Sequence, residues 1–118
     1  TTNAFIKSDL NGGIGILYFS FILNFRGTIS NNSSNEEKID YFELSSIEKT
    51  ELTELIDIAK SLIEKEFNPD GYNIGMNCGK HAGQTIMHFH CHIIPRYKND
   101  VENPRGGVRN VIPGKGDY

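Results

Sequence analysis

Three of the chain's four histidines stand at alternate positions in the stretch QTIMHFHCHIIPRY, residues 84–97: His88, His90 and His92. Imidazole changes charge near neutral pH, so it can bind a metal, carry a proton or act as a nucleophile. On an extended strand, residues two apart share a face and lie roughly 6.5–7 Å from each other. A strand from Thr85 to about Ile94, ended by Pro95, would put Thr85, Met87, Phe89, Cys91 and Ile93 on one face. Ile86, His88, His90, His92 and Ile94 would lie on the other. The first face suits a core; the second is a row of imidazoles. So strict an alternation argues against three unrelated histidines on a solvated face.

Two chemistries compete for the row. Zinc takes nitrogen ligands at about 2.0–2.1 Å around a single point. Three ligands on a straight strand cannot converge in that way, because the outer two are about 13 Å apart at their backbones. Two of them could chelate, with His81 the remaining histidine, and the strand carries no acidic residue. A metal-binding protein using His88, His90 and His81 is therefore short of ligands. Nucleophilic catalysis asks for less. One imidazole presents a lone pair while its other nitrogen, protonated, is held by an acceptor. Flanking histidines then position phosphate oxygens or protonate a leaving group.

The preceding loop, NCGKHAGQT at 77–85, places Asn77, Gly79, Gly83, Gln84 and Thr85 beside the row. Glycine permits close backbone approach, and successive amides form anion-binding concavities. Asn, Gln and Thr offer neutral hydrogen bonds to a ribose or phosphate. The amides from Gly83 to Thr85 and that of His92 are expected to face developing negative charge.

Other elements must hold this strand and loop. Ser45 precedes Glu48 at capping-box spacing, and Leu52, Leu55, Ile56, Ala59, Leu62 and Ile63 follow at helical spacing, with Phe67 near the end. NPDG at 68–71 stops this amphipathic helix, which is expected to cover a sheet. YNIGMN at 72–77 reads as a short strand. Residues 3–25 read as one or two strands turning at Asn11-Gly12-Gly13, and 26–40 as a polar, mobile loop. The Gly- and Pro-containing tail from Arg96 to Tyr118 is expected to wrap over a surface.

At 118 residues, one domain is expected over 1–118. Hydrophobic residues at 37% and charged residues at 23% suit a globular chain. The net charge of −3 argues against nucleic acid or an anionic membrane as partner. The most apolar run, residues 13–25, is too short to span a bilayer and contains Ser20 and Asn24. It lacks the marks of a signal peptide. Cys78 and Cys91 form no C-x-x-C pair, so reduced thiols and a cytoplasmic location are expected.

His88-Phe89-His90-Cys91-His92-Ile93-Ile94 resembles the signature of the histidine triad family of nucleotide hydrolases and transferases. AGQT at 82–85, IPRY at 94–97, ENPRGGVRNVIPGKG at 102–116 and YFELSSIEKTEL at 41–52 resemble its bacterial and archaeal dinucleoside polyphosphate hydrolase-like branch. The resemblance covers residues 41–118. It implies an α+β fold, an antiparallel sheet on one long helix, and a homodimer. It implies that His90 is the nucleophile that takes a nucleoside monophosphate, that His88 supports it, and that His92 contacts the phosphate or leaving group. Nucleotide-binding roles carry over to Asn77, Gly83, Gln84 and Thr85. The implied substrates are dinucleoside polyphosphates or adenosine phosphoramidates, with no cofactor beyond magnesium on the substrate's phosphates. The alternative is a nucleotide-binding module with little turnover. The chain departs from the family before the helix, over residues 1–40. Members carry Pro-Gly-His and Pro-Lys-Arg-His stretches there, with an acidic or Asn residue for the ribose. This chain has no histidine before His81 and no proline before Pro69.

Overall fold

Helix α1 (Ser46–Phe67) starts at the capping box read from the sequence. The Glu48 amide donates to Ser45 Oγ at 3.1 Å, and the Ser45 amide donates to Glu48 Oε1 at 2.9 Å. Two otherwise orphaned amides are thereby satisfied. The helix ends at Asn68, whose amide makes a last helical bond to the Glu64 carbonyl and whose left-handed backbone (φ 44°) then turns the chain away. In this computed structural model, residues 3–9, 18–24 and 38–116 are described. The expected turn at Asn11-Gly12-Gly13 and nearly all of the expected loop at 26–40 lie outside them.

Strands β1 (Asn3–Asp9) and β2 (Tyr18–Asn24) pair antiparallel, Asn3 opposite Asn24 and Asp9 opposite Tyr18. Strands β3 (Gly71–Gly75) and β4 (His92–Arg96) form a second antiparallel pair, Gly71 opposite Arg96 and Gly75 opposite His92. β2 also runs close to β4 and to α1. The result is the expected α+β arrangement of antiparallel strands with one long helix. No helix among the described residues is long and apolar enough to cross a membrane.

The core joins α1 to the histidine stretch. Leu52, Ala59 and Ile63 pack with Leu44, Phe89, Cys91 and Ile93. Leu62, which the spacing places on the buried stripe, is exposed. It lies at the stripe's border and pairs at i,i+4 with Ile58, also exposed, on a second apolar strip.

The histidine strand is shorter than expected. Regular pairing begins at His92, not Thr85, and runs through Pro95 to Arg96. The reason lies in the partner strand. β3 ends at Gly75, opposite His92, and the chain then leaves for the 76–84 loop. No β3 residue stands opposite the residues before His92. The alternation nevertheless continues in extended backbone. Phe89, Cys91 and Ile93 are buried, while His88, His90 and His92 are half-buried. Thr85 and Met87, expected on the buried face, are exposed, because the chain bends at Ile86–His88.

The far end of β4 is clasped by the tail. Arg96 donates through Nε and Nη2 to the two Asp100 oxygens at 2.7 and 2.8 Å. Its Nη1 donates to Asn73 Oδ1 at 2.5 Å, and the Tyr97 amide donates to Asp100 Oδ2 at 3.0 Å. Beyond it, a 3₁₀ turn at Gly107–Val111 packs against β3. The bidentate Arg96 pair and the Tyr97 amide hold the Asp100 carboxyl at about 2, below the usual value of about 4. A depressed folded-state value stabilises the fold above the ordinary carboxylate range and loses that contribution as pH falls towards 2. Asp100→Asn is expected to lower the melting temperature by a few degrees at pH 7. The difference from wild type should shrink below about pH 4 and vanish near pH 2. Thermal melts of both proteins across that range check it; a gap that persists unchanged at low pH would count against the clasp.

Candidate active site

The loop between β3 and the histidines is built around two glycines in left-handed backbone. Gly79 (φ 98°) and Gly83 (φ 90°) bracket a 3₁₀ turn at Lys80–Ala82 that carries His81 on its exposed surface. Only glycine takes such angles without strain. The Gly83 amide donates to the Lys80 carbonyl and the Gln84 amide to the Gly79 carbonyl, both at 3.1 Å. Two of the four amides expected to face an anion are therefore used inside the loop. The Thr85 amide has no such partner among the described residues. Asn77 and Thr85 are exposed, and the Asn77 carboxamide lies over Gly83, its Nδ2 3.9 Å from where a Cβ would stand.

Gln84 points the other way. It is 3% exposed. Its Nε2 donates to the carbonyls of Ile39 at 2.7 Å and Ile86 at 3.0 Å, and its Oε1 accepts the Gly79 amide at 2.8 Å.

The three imidazoles form a row. The His88 and His90 ring centroids are 6.1 Å apart, and those of His90 and His92 are 5.0 Å apart, both pairs edge-to-face. His90 Nδ1 lies 3.0 Å from the His88 carbonyl oxygen. A carbonyl only accepts, so Nδ1 carries the hydrogen and the neutral ring keeps its lone pair on Nε2. Burial lowers the His92 pKa, and the neighbouring His90 lowers it further, which favours the neutral ring. Among the described residues no three His, Cys, Asp or Glu side chains are grouped to hold a metal ion. A cleft of about 430 Å³ opens at the other end of β4, lined by Tyr72, Asn73, Arg96, Tyr97 and Asp100 among others, and no histidine lines it.

The site has members that residue types did not reveal. The Phe89 amide donates to the Lys38 carbonyl at 2.6 Å, and the Ile39 carbonyl takes the Gln84 bond. Residues 38–39 thus brace the histidines through backbone atoms alone, which carry no residue-type signal.

A family model described as the HIT domain matches residues 36–99, more than half of the chain. The chain belongs to that family. It is 44% identical over 61 residues to a bis(5'-adenosyl)-triphosphatase of Dictyostelium discoideum, covering 52% of this chain and 41% of the relative. It is 42% identical over 77 residues to an uncharacterized HIT-like protein of Methanocaldococcus jannaschii, covering 63% of this chain and 60% of the relative. The chain thus spans about two-fifths to three-fifths of these relatives' own lengths. A crystal structure of a HIT family protein from Bacillus anthracis superposes with a TM-score of 0.54 at 25% identity, over 80% of this chain and 67% of that one.

The packing beneath the row separates the two thiols. Cys91 is fully buried and its pKa is pushed up to about 11 by burial, whereas Cys78 is half-buried in the loop. A chromogenic disulfide reagent at pH 8 is expected to titrate Cys78 in the native protein and Cys91 only after denaturant is added. Two thiols reacting at equal rates in the native protein would show that the face under the histidines is open.

Proposed function

We propose that this chain is a nucleotide hydrolase or transferase acting at the α-phosphate of dinucleoside polyphosphates or nucleoside phosphoramidates. The observation that carries this reading is the His90 Nδ1 contact with the His88 carbonyl, which leaves Nε2 as the free base of the row. In the proposed step the Nε2 lone pair forms a bond to phosphorus. The bond to the leaving group breaks, and its electrons leave with that group. His92 lies next to His90, and burial lowers its pKa; bound phosphate charge favours its protonated form, which contacts the phosphoryl oxygens or protonates the leaving group. The nucleotidyl-histidine is cationic, and the His88 carbonyl accepts its Nδ1–H throughout. Water then forms a new phosphorus–oxygen bond and gives up a proton, to the His92 left neutral by protonating the leaving group or to solvent; the phosphorus–nitrogen bond breaks with its electrons returning to Nε2, and a nucleoside monophosphate leaves. Asn77, Gly83 and Thr85 supply exposed contacts for the nucleotide. No bond in this scheme passes through a metal; magnesium accompanies the substrate's phosphates. The names of the relatives, a bis(5'-adenosyl)-triphosphatase and an asymmetrical bis(5'-nucleosyl)-tetraphosphatase of Schizosaccharomyces pombe, support the substrate class.

His90→Asn is expected to reduce turnover of diadenosine triphosphate by at least about a thousandfold while adenosine monophosphate binding stays within a few-fold. Wild-type protein should form an acid-labile, base-stable adduct on the peptide containing HFHCH, found by mass spectrometry after rapid quenching. If a chelator abolishes activity, zinc restores it and no adduct forms on His90, the reading is wrong.

We propose further that the chain acts as a homodimer. Among the described residues β3 pairs only with β4, which leaves its other edge open. Ile74 on that strand and Ile58 and Leu62 on α1 are exposed, and the Tyr72 hydroxyl reaches the Lys60 carbonyl, which sets β3 beside this part of the helix. Light scattering at micromolar concentration should give twice the chain mass, and Leu62→Glu should shift it to the monomer. A monomeric mass for the wild-type protein sinks this proposal.

A further inference from the structure

We propose that Gln84 is a positioning residue: its buried carboxamide orients His90 through the backbone and does not touch the substrate. This rests on the reading of His90 as the nucleophile.

A glutamine carboxamide has two N–H donors and one acceptor oxygen. Both Gln84 donors are committed, to Ile39 and Ile86, and its oxygen accepts from Gly79. At 3% exposure it offers no donor to a ligand. What it holds is the stretch that β3 does not. Pairing with β3 begins only at His92, so the backbone around His88 needs other anchors. Gln84 supplies one directly, at Ile86.

It supplies a second through residues 38–39. Gln84 fixes the Ile39 carbonyl, and the adjoining Lys38 carbonyl accepts the Phe89 amide. That amide belongs to the same peptide plane as the His88 carbonyl, which accepts the His90 Nδ1–H. One rigid peptide unit therefore donates to Lys38 on one side and receives His90 on the other. The donated bond also polarises the unit, which strengthens its carbonyl as an acceptor. Removing the carboxamide takes the Gln84 partner from three backbone groups, the Ile39 and Ile86 carbonyls and the Gly79 amide, and frees this plane to rotate.

The test uses Gln84→Met, which keeps the length of the side chain but none of its hydrogen bonds, alongside wild type. Long-range proton–nitrogen NMR of imidazole-labelled protein is expected to show His90 protonated on Nδ1 alone in wild type. In Gln84→Met it should show a mixture of the two tautomers, with the α1 circular dichroism retained. Turnover of diadenosine triphosphate should fall about tenfold or more in kcat, with KM and adenosine monophosphate affinity within about threefold. A raised KM or weakened monophosphate binding with an unchanged tautomer makes Gln84 a substrate contact and overturns the proposal. An unchanged tautomer with unchanged kcat also overturns it. If Gln84→Met does not fold, the wild-type Gln84 side-chain amide decides. It should exchange slowly and stay unmoved on titration with adenosine monophosphate; a direct shift of that signal refutes the positioning role. The tautomer readout needs no turnover. If wild type hydrolyses no nucleotide while the variant still scrambles the His90 tautomer, the positioning stands and the proposed reaction falls.

Discussion

The burial of Phe89, Cys91 and Ile93 against Leu52, Ala59 and Ile63 is the constraint on which the rest of the molecule depends. Burying a large apolar side chain is worth roughly 1.5–3 kcal/mol. A slip of one residue would drive three imidazoles into that core and expose its apolar face. The cost of such a slip fixes the register of the whole stretch. It also explains the Cys91 thiol, which sits where a small apolar group is wanted and is raised to about 11 by the same burial. The histidines face outward because the alternate residues cannot.

Packing decides which face the imidazoles occupy, but it does not orient their rings. The His90 ring is oriented by a single peptide unit between His88 and Phe89. Its amide is bound to Lys38, and its carbonyl is bound by His90 Nδ1. The pKa of the ring 5.0 Å further along, His92, is lowered mainly by burial and secondly by its neighbour. At the far end of β4 the Arg96–Asp100–Asn73 clasp ties the strand to β3 and to the tail. The strand is anchored by charge-assisted bonds at one end, by neutral amide bonds at the other, and by apolar packing along its middle.

Much of this was legible in the residues. The capping box at Ser45 and Glu48, the αL stop at Asn68 and the buried stripe at Leu52, Ala59 and Ile63 are local features set by neighbours three or four positions apart. The outward row of histidines follows from alternation alone between His88 and Arg96. The extent of the strand did not follow. A strand is a property of two segments, and β3 stops at Gly75, so Thr85 to Cys91 lie outside its ladder and the chain bends at Ile86–His88. Leu62 shows the same limit on the helix, where periodicity marks a border position and only the neighbouring element decides whether it is covered.

The clearest division falls on two residues of one loop. Residue type makes Gln84 and Asn77 equal candidates to meet a ligand, since both are neutral amides with donors and an acceptor. The tertiary structure turns Asn77 outward over Gly83 and buries Gln84 among three backbone partners, one of them 45 residues away in the chain. The row of imidazoles was written into the sequence by the strict two-residue period of His88, His90 and His92. The tautomer of His90 and the partners of Gln84 were decided only by the fold, because both depend on backbone carbonyls and amides that only folding brings within 3.0 Å.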